Sequence, residues 1–414
     1  MSCRFRKQVR NGMRDSGDRL AVVLAVRYFM NVGGMEKFSL SLAAFLRDRG
    51  HNVKVVAIRG QPMEGVSLRI AGRPRPVPRF MRDWHTGRIL VRAVAEEPAD
   101  VVLGEQKMWN CDVIRPAGGV EDEYWKAHVR FRRILPFPPW TRFLALKRIL
   151  DLRAERLGYR DPRLRCVIAN SNLVRKQLLR HYPHLEGRIR VIHEGVASDL
   201  RVPDMSGMRR HVLRSHGLAE DGVTAIFVGH DFRRKGVPQA MQAVAEARRR
   251  DPCFRLQLLI LGRDRSLYCR RLARRLGIEN AVAFAGSVSP PNPCFLAADF
   301  LMLPTFYDPF ANVTLEALAA GLPVLTTRQN GGAEILTHGT DGWVVDDPGD
   351  IRGMVECLLR MRDPARLSAM KASASALAAR HSIQAALESV EQALIEVAVE
   401  KKRDRELGAP RPIK

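Results

Sequence analysis

"LAVVLAVRYFMNVGGMEKFSLSLAAFLRDRG", Leu20 to Gly50, opens on an apolar run, turns at a Gly-Gly pair and resumes with apolar residues three and four apart. Leu20 to Val26 reads as a buried strand, and Met35, Phe38, Leu42 and Phe45 share the spacing of one helix face. Gly50 stops that helix, and "VKVVAI" from Val53 reads as the next strand. Strand, helix and strand in this order predict a parallel sheet with helices on both faces. A basic segment before the first strand imitates a secretion signal. Only seven apolar residues precede Arg27, however, and no small-residue cleavage site closes the run. No apolar run approaches bilayer length, so any membrane contact is expected to be peripheral.

The pattern continues and then restarts. Strands are expected at 100–104, 166–170 and 189–192. After "HEGVASDLRVPD" (193–204) a second series follows at 225–229, 256–262, 282–286, 300–304, 323–327 and 342–345. The reading is α/β, two facing Rossmann-like doubly wound domains, with ligands expected at the carboxyl ends of strands and in an interdomain cleft. The expected organisation is a basic extension at 1–19, a first Rossmann-like domain at 20–198 and a second at 199–382. A terminal helix at 383–400 is expected to pack back on the first domain, followed by a disordered tail at 401–414.

The chain has 414 residues, 46% of them hydrophobic, with 68 Lys+Arg against 44 Asp+Glu and a formal charge of +24. So basic a surface attracts phosphates of a nucleic acid, an anionic membrane or a nucleotide-linked substrate, and sign alone does not choose among them. One concentration of arginine, 130–165, also holds aromatic residues. Arg132, Arg133, Trp140, Arg142, Phe143 and Arg148 are therefore candidates for contact with anionic lipid, each basic residue near the surface adding about 1 kcal/mol. The plainer alternative is a solvated arginine face on a helix that packs inward. Seven cysteines form no CxxC pair, which suits buried thiols in a reducing compartment. HExxH and GxxxxGK[ST] are absent, which argues against a metalloprotease or a P-loop hydrolase.

Three motifs carry chemistry. In "GHDFRRKGVPQA" (229–240), Arg233, Arg234 and Lys235 occupy a strand-to-helix turn, where they are placed to hold a diphosphate. In "YDPFANVTLEALAAGLPV" (307–324), Asp308 stands eight residues before Glu316. Asn312 is expected to cap the intervening helix, leaving backbone amides around Ala311, Asn312 and Val313 free for phosphate or sugar oxygens. Glu316 suits a vicinal diol such as ribose, and Asp308 the hydroxyls carried by the diphosphate. In "NVGGMEKF" (31–38), Gly33 and Gly34 permit close backbone approach and Glu36 lies in the first helical turn, though a tight turn alone explains the pair equally well.

Together "NVGGMEKF", "VGHDFRRKG", "LLILG" and "DPFANVTLEALAAGLPVLTTRQNGGAE" resemble the signature elements of the retaining GT-B glycosyltransferases of family GT4, and among them the lipopolysaccharide-core glucosyltransferases. The resemblance spans about 20–385 and is strongest in the second domain. It implies Glu316 as the ribose-binding carboxylate, Asp308 at the donor sugar, Arg234 and Lys235 at the leaving diphosphate, and Gly33 and Gly34 over the donor phosphates. It further implies UDP-glucose as donor, no cofactor and no essential metal, since no DxD motif is present. The acceptor is implied to be a glycolipid on the cytoplasmic face of the inner membrane, with Glu36, His85 and Arg88 in "WHTGR", and Asp112 and Glu121 near "RPAGGVEDEYW", as candidates to meet it. Two departures stand out: Asp308 occupies a position where most of the family has Glu, and no His or Asp aligns with the family's catalytic residue of the first domain. Alternatives are a polysaccharide, inositol-lipid or small-metabolite acceptor, and, more distantly, a nucleic-acid-binding protein on a transferase scaffold. No nucleic-acid module is apparent, so nucleic acid is not an expected partner.

Overall fold

The computed structural model describes residues 19–31, 33–72, 76–132, 141–196, 205–264, 267–288 and 292–407. Among these the first sheet holds β1 (Ala21–Phe29), β2 (Asn52–Gly60), β3 (Ser67–Ile70), β4 (Val101–Glu105), β5 (Val113–Arg115), β6 (Cys166–Ala169) and β7 (Ile189–Val191). Their order is β3-β2-β1-β4-β5-β6-β7, with parallel ladders from β3 through β6. The second sheet holds β8 (Val223–Val228), β9 (Leu256–Leu261), β10 (Val282–Gly286), β11 (Phe300–Leu303), β12 (Val324–Thr327) and β13 (Gly342–Val345). Its order is β10-β9-β8-β11-β12-β13, parallel throughout. The two Rossmann-like sheets are the pair expected from the strand spacing, and they fit the GT-B fold that the resemblance implies. Short β3 and β5 escaped the sequence reading.

Continuous apolar runs make the central strands because helices exclude water from both faces: Val22 to Val26 and Leu256 to Leu261 are buried without alternation. The helix Gly34–Asp48 buries Phe38, Leu42, Ala43 and Leu46, while Phe45 is only half-buried and lies under the Arg49 guanidinium. Five of the cysteines are buried, and burial pushes the Cys269 and Cys357 thiols up to about 11. Cys253 departs from the expectation, since it is exposed.

The chain divides into two compact units. One comprises Met1–Arg115, Arg153–Val167 and Val390–Lys414, and the other Pro116–Leu152 and Ile168–Ser389. In the first, the helix Ile383–Glu406 is held by charge along its later turns. Glu391 accepts from Arg49 and His51, Arg165 donates to Glu400 and Asp404, and Lys401 Nζ lies 2.7 Å from Asp112 Oδ2. These pairs carry the helix past Lys401, where the sequence suggested a disordered tail. They also reassign Asp112 from the acceptor candidates. Its buried carboxylate accepts from Val102 N at 2.9 Å as well as from Lys401, and so ties β4 to the last helix. Among the described residues no helix is long and apolar enough to cross a membrane.

Asp112→Ala would leave a half-buried ammonium and a buried backbone N–H without their acceptor. It is expected to lower stability by about 3 kcal/mol, read as a shifted urea midpoint at unchanged slope.

Candidate active site

In the second unit β8 ends at Val228, and the chain must reverse before the helix Val237–Arg250 begins. Gly229 (φ +155°) and Gly236 (φ +82°) make the reversal. A Cβ on Gly229 would stand 2.6 Å from Lys235 Cδ, and one on Gly236 would stand 1.9 Å from the Pro304 carbonyl oxygen. The loop thus lies against the end of β11, with the Lys235 stem folded over its first residue. Lys235 Nζ comes within 3.2 Å of Asp308 Oδ2 and Arg234 Nη1 within 3.6 Å of the same oxygen, while Nη1 donates to the Tyr307 carbonyl at 2.6 Å. Asp231, at φ 56°, receives Arg234 Nε at 3.2 Å from the more exposed side. Two cations from one strand end therefore converge on a buried carboxylate from another. Burial of an acid at this cost is sustained by such pairing.

The segment that carries Asp308 is fixed on both flanks. Tyr307 is buried, and its hydroxyl accepts from Val120 N and donates to Gln177 Oε1, each at 3.0 Å. Gly119 passes so close that a Cβ there would stand 2.1 Å from this hydroxyl. Ser171 Oγ donates to the Pro309 carbonyl at 2.7 Å. Asn330, 1% exposed, uses its whole side-chain amide. Its oxygen accepts from Ala311 N and Gly332 N, and its nitrogen donates to the hydroxyls of Thr314 and Thr326. Tyr307, Ser171 and Asn330 were not singled out from the sequence. The only signal was the Asn-Gly-Gly after β12.

Asn330 also changes the expected helix start. The helix is Asn312–Ala319, Ala311 is its N-cap, and Asn312 is its first helical residue rather than a capping side chain. Ala311 N is taken by Asn330 and Thr314 N by the Ala311 carbonyl, so the amides that remain for a ligand are narrowed to Asn312 and Val313. Glu316 stands one turn in, half-buried.

The other candidates stand on other elements of the two units. In the first unit Gly33 and Gly34 follow β1, and Glu36 Oε2 is 2.6 Å from where a Gly33 Cβ would stand. A Cβ on Gly33 would thus displace only the end of the flexible glutamate that folds back over the helix start, an arrangement like a capping box. His85 is half-buried and Arg88 exposed on the helix Arg82–Ala95. Glu121 opens the helix Glu121–Arg132, whose acidic first turn suits the helix dipole. Arg133 and Trp140 lie outside the described residues. So do the side chains of Arg132 in that helix and of Arg142 and Phe143 in the helix Thr141–Tyr159. Arg148 pairs with Asp122 at 2.8 Å. Among the described residues Asp122, Glu123 and His181 form a compact donor cluster, with Lys126 Nζ within 3.2 Å of both carboxylates.

Residues 32–200 match the family described as Glycosyltransferase Family 4, and 222–363 that described as Glycosyl transferases group 1. The chain is a glycosyltransferase of the GT4 type. The transferase is 25% identical over 339 residues to the lipopolysaccharide glucosyltransferase WaaG of Escherichia coli, covering 80% of this chain and 86% of that one. It is 32% identical over 213 residues to D-inositol 3-phosphate glycosyltransferase 2 of Catenulispora acidiphila, a match that spans 48% of this chain and 49% of the relative. The fold matches a crystal structure of WaaG with a TM-score of 0.75 at 22% identity, covering 90% of this chain and 99% of that one. It matches Anabaena HepE in complex with UDP-glucose at 0.66 and 17% identity, covering 91% and 100%.

Two predictions follow from the scaffold of the site. Asn330→Ala strands the buried amides of Ala311 and Gly332 and is expected to cost about 2–4 kcal/mol, measured by denaturant titration. Glu334 is the second. Burial raises its pKa, but hydrogen bonds from His193 and from the amides of Asn172 and Leu173 outweigh burial and hold it below its ordinary 4.5. Its contribution to stability is therefore complete above that pH and is lost as pH falls through the lowered value. Glu334→Gln is expected to flatten the acid limb of the stability profile.

Proposed function

We propose that the transferase moves a hexosyl residue, glucose in the first instance, from a uridine diphosphate sugar to a hydroxyl of a glycolipid of the lipopolysaccharide-core type, with retention of configuration. The observation that carries this reading is the convergence of Lys235 and Arg234 on Asp308, beside the helix that bears Glu316. The two cations would neutralise charge developing on the leaving diphosphate, the part a divalent ion plays in other transferases. Glu316 would accept from the ribose hydroxyls. Asp308 would hold the donor sugar and keep the cations in place before the donor arrives. As the sugar–phosphate bond loosens, the acceptor oxygen bonds to the anomeric carbon on the same face and its proton passes to the departing phosphate oxygen.

Similarity to WaaG over most of both chains supports the glycolipid acceptor, and the matches to inositol-phosphate transferases support a second reading with an inositol-phosphate acceptor. Exposed Val129, Leu146 and Ile149, interspersed with Arg130 and Arg148, support peripheral contact with anionic lipid at the membrane's cytoplasmic face.

Thermal unfolding against a panel of nucleoside diphosphates and nucleotide sugars is expected to show a raised midpoint with one nucleotide sugar, and no rise in Glu316→Ala. Lys235→Ala is expected to lower turnover about 100-fold or more. No shift with any nucleotide would end the donor reading, and labelled products separated by acceptor class would decide between the glycolipid and inositol-phosphate alternatives.

A further inference from the structure

The first unit contains an aromatic pair that the donor chemistry does not use. Trp84, in the first turn of the helix Arg82–Ala95, stacks on Trp109 with ring centroids 5.5 Å apart and an interplanar angle of 27°. The Arg153 guanidinium lies 5.5 Å from the Trp84 ring, and Arg88, one helical turn beyond Trp84, is on the same helix face and exposed. Among the described residues no acceptor takes the indole N–H of either tryptophan.

Trp109 is held with unusual care. It rides on the return from β4 to β5, where Gln106 (φ 55°) and Asn110 (φ 62°) both adopt the left-handed conformation. Asn110 is clamped from two directions, its N–H donating to Asp161 at 2.6 Å and its side-chain oxygen accepting from Arg163. Neighbouring elements clear space for the return: a Cβ on Gly104 would stand 2.6 Å from Cys111 Sγ, and one on Gly158 would stand 2.3 Å from the Met108 carbonyl oxygen. Backbone held in sparsely populated conformations by surrounding structure concentrates at ligand sites.

We propose that Trp84, Trp109 and Arg153 form a subsite for a sugar ring bearing a phosphate or carboxylate. The assignment rests on the transfer to a saccharide acceptor proposed above. Both tryptophans are half-buried, recessed rather than projecting, which suits a ring laid against them and not insertion among acyl chains. The unheld indole N–H groups meet sugar hydroxyls, and Arg153 and Arg88 supply the forked donors that an anionic substituent takes up.

Tryptophan fluorescence and saturation-transfer NMR with glucose 6-phosphate and with glucose test this. Glucose 6-phosphate is expected to bind about tenfold more tightly than glucose, Arg153→Gln to remove that preference, and Trp84→Ala to weaken both. Arg153 is exposed, so its replacement leaves folding intact. Equal binding of the two sugars by the wild type, or unchanged binding in both variants, overturns the proposal. Vesicles displaying a phosphorylated glycolipid separate the sources. Retention of wild type but not of Trp84→Ala assigns the subsite to a lipid headgroup, whereas equal retention with glucose 6-phosphate still bound in solution assigns it to a free sugar phosphate. A wild type that binds no nucleotide sugar yet binds glucose 6-phosphate would end the donor reading while leaving this subsite standing.

Discussion

Asp308 is a buried carboxylate, and it is sustained by Lys235 at 3.2 Å and Arg234 at 3.6 Å. An acid so placed without cations would carry an uncompensated desolvation cost. The local geometry follows from this. Arg234 and Lys235 must arrive from the end of β8, which requires the reversal that Gly229 and Gly236 allow. The Arg234 carbonyl then accepts from Phe306 N and from the Thr305 hydroxyl, fixing the β8 loop to the segment after β11. The ion pairs and the backbone bonds between these loops are one construction.

That construction extends to residues remote in sequence. Tyr307 precedes Asp308 and binds Val120 N and Gln177, and Pro309 follows it and receives Ser171. Asn330 holds the start of the helix that presents Glu316. A side chain positioned this way loses little freedom when a ligand arrives, which is the physical content of preorganisation. The turn at 116–120 belongs to the same compact unit as Asp308 although it lies in the first half of the chain.

Much of this was legible in the sequence because periodicity and apolar runs report burial directly. Eleven strands stood out as apolar runs. β3 (SLRI) and β5 (VIR) did not, because three or four residues carry too little pattern and depend on neighbouring strands for their existence. Asp308, Glu316, Arg234 and Lys235 were legible as charges at strand-to-helix turns. Asn312 was misread as a cap since local propensity favours Asn there, whereas Asn330, eighteen residues on, supplies the bond instead. Asp112 read as an acceptor-side candidate because its partners, Val102 and Lys401, are joined to it only by the fold.

The aspartate at 308 is more than a shortened glutamate. Its carboxylate already contacts Lys235 from a backbone position fixed by Gln329, whose carbonyl accepts from Asp308 N, and by Gly331, whose N–H donates to the Asp308 carbonyl. An added methylene would carry the carboxylate about 1.5 Å farther from that backbone, into the space of the two cations. The lysine and arginine would have to retreat, yet the Arg234 guanidinium is held by the Tyr307 carbonyl at 2.6 Å and the Lys235 stem already lies folded over Gly229. The shorter acid and the closely drawn cations therefore belong together. A reach one bond shorter on the protein side leaves correspondingly more room in front of the carboxylate.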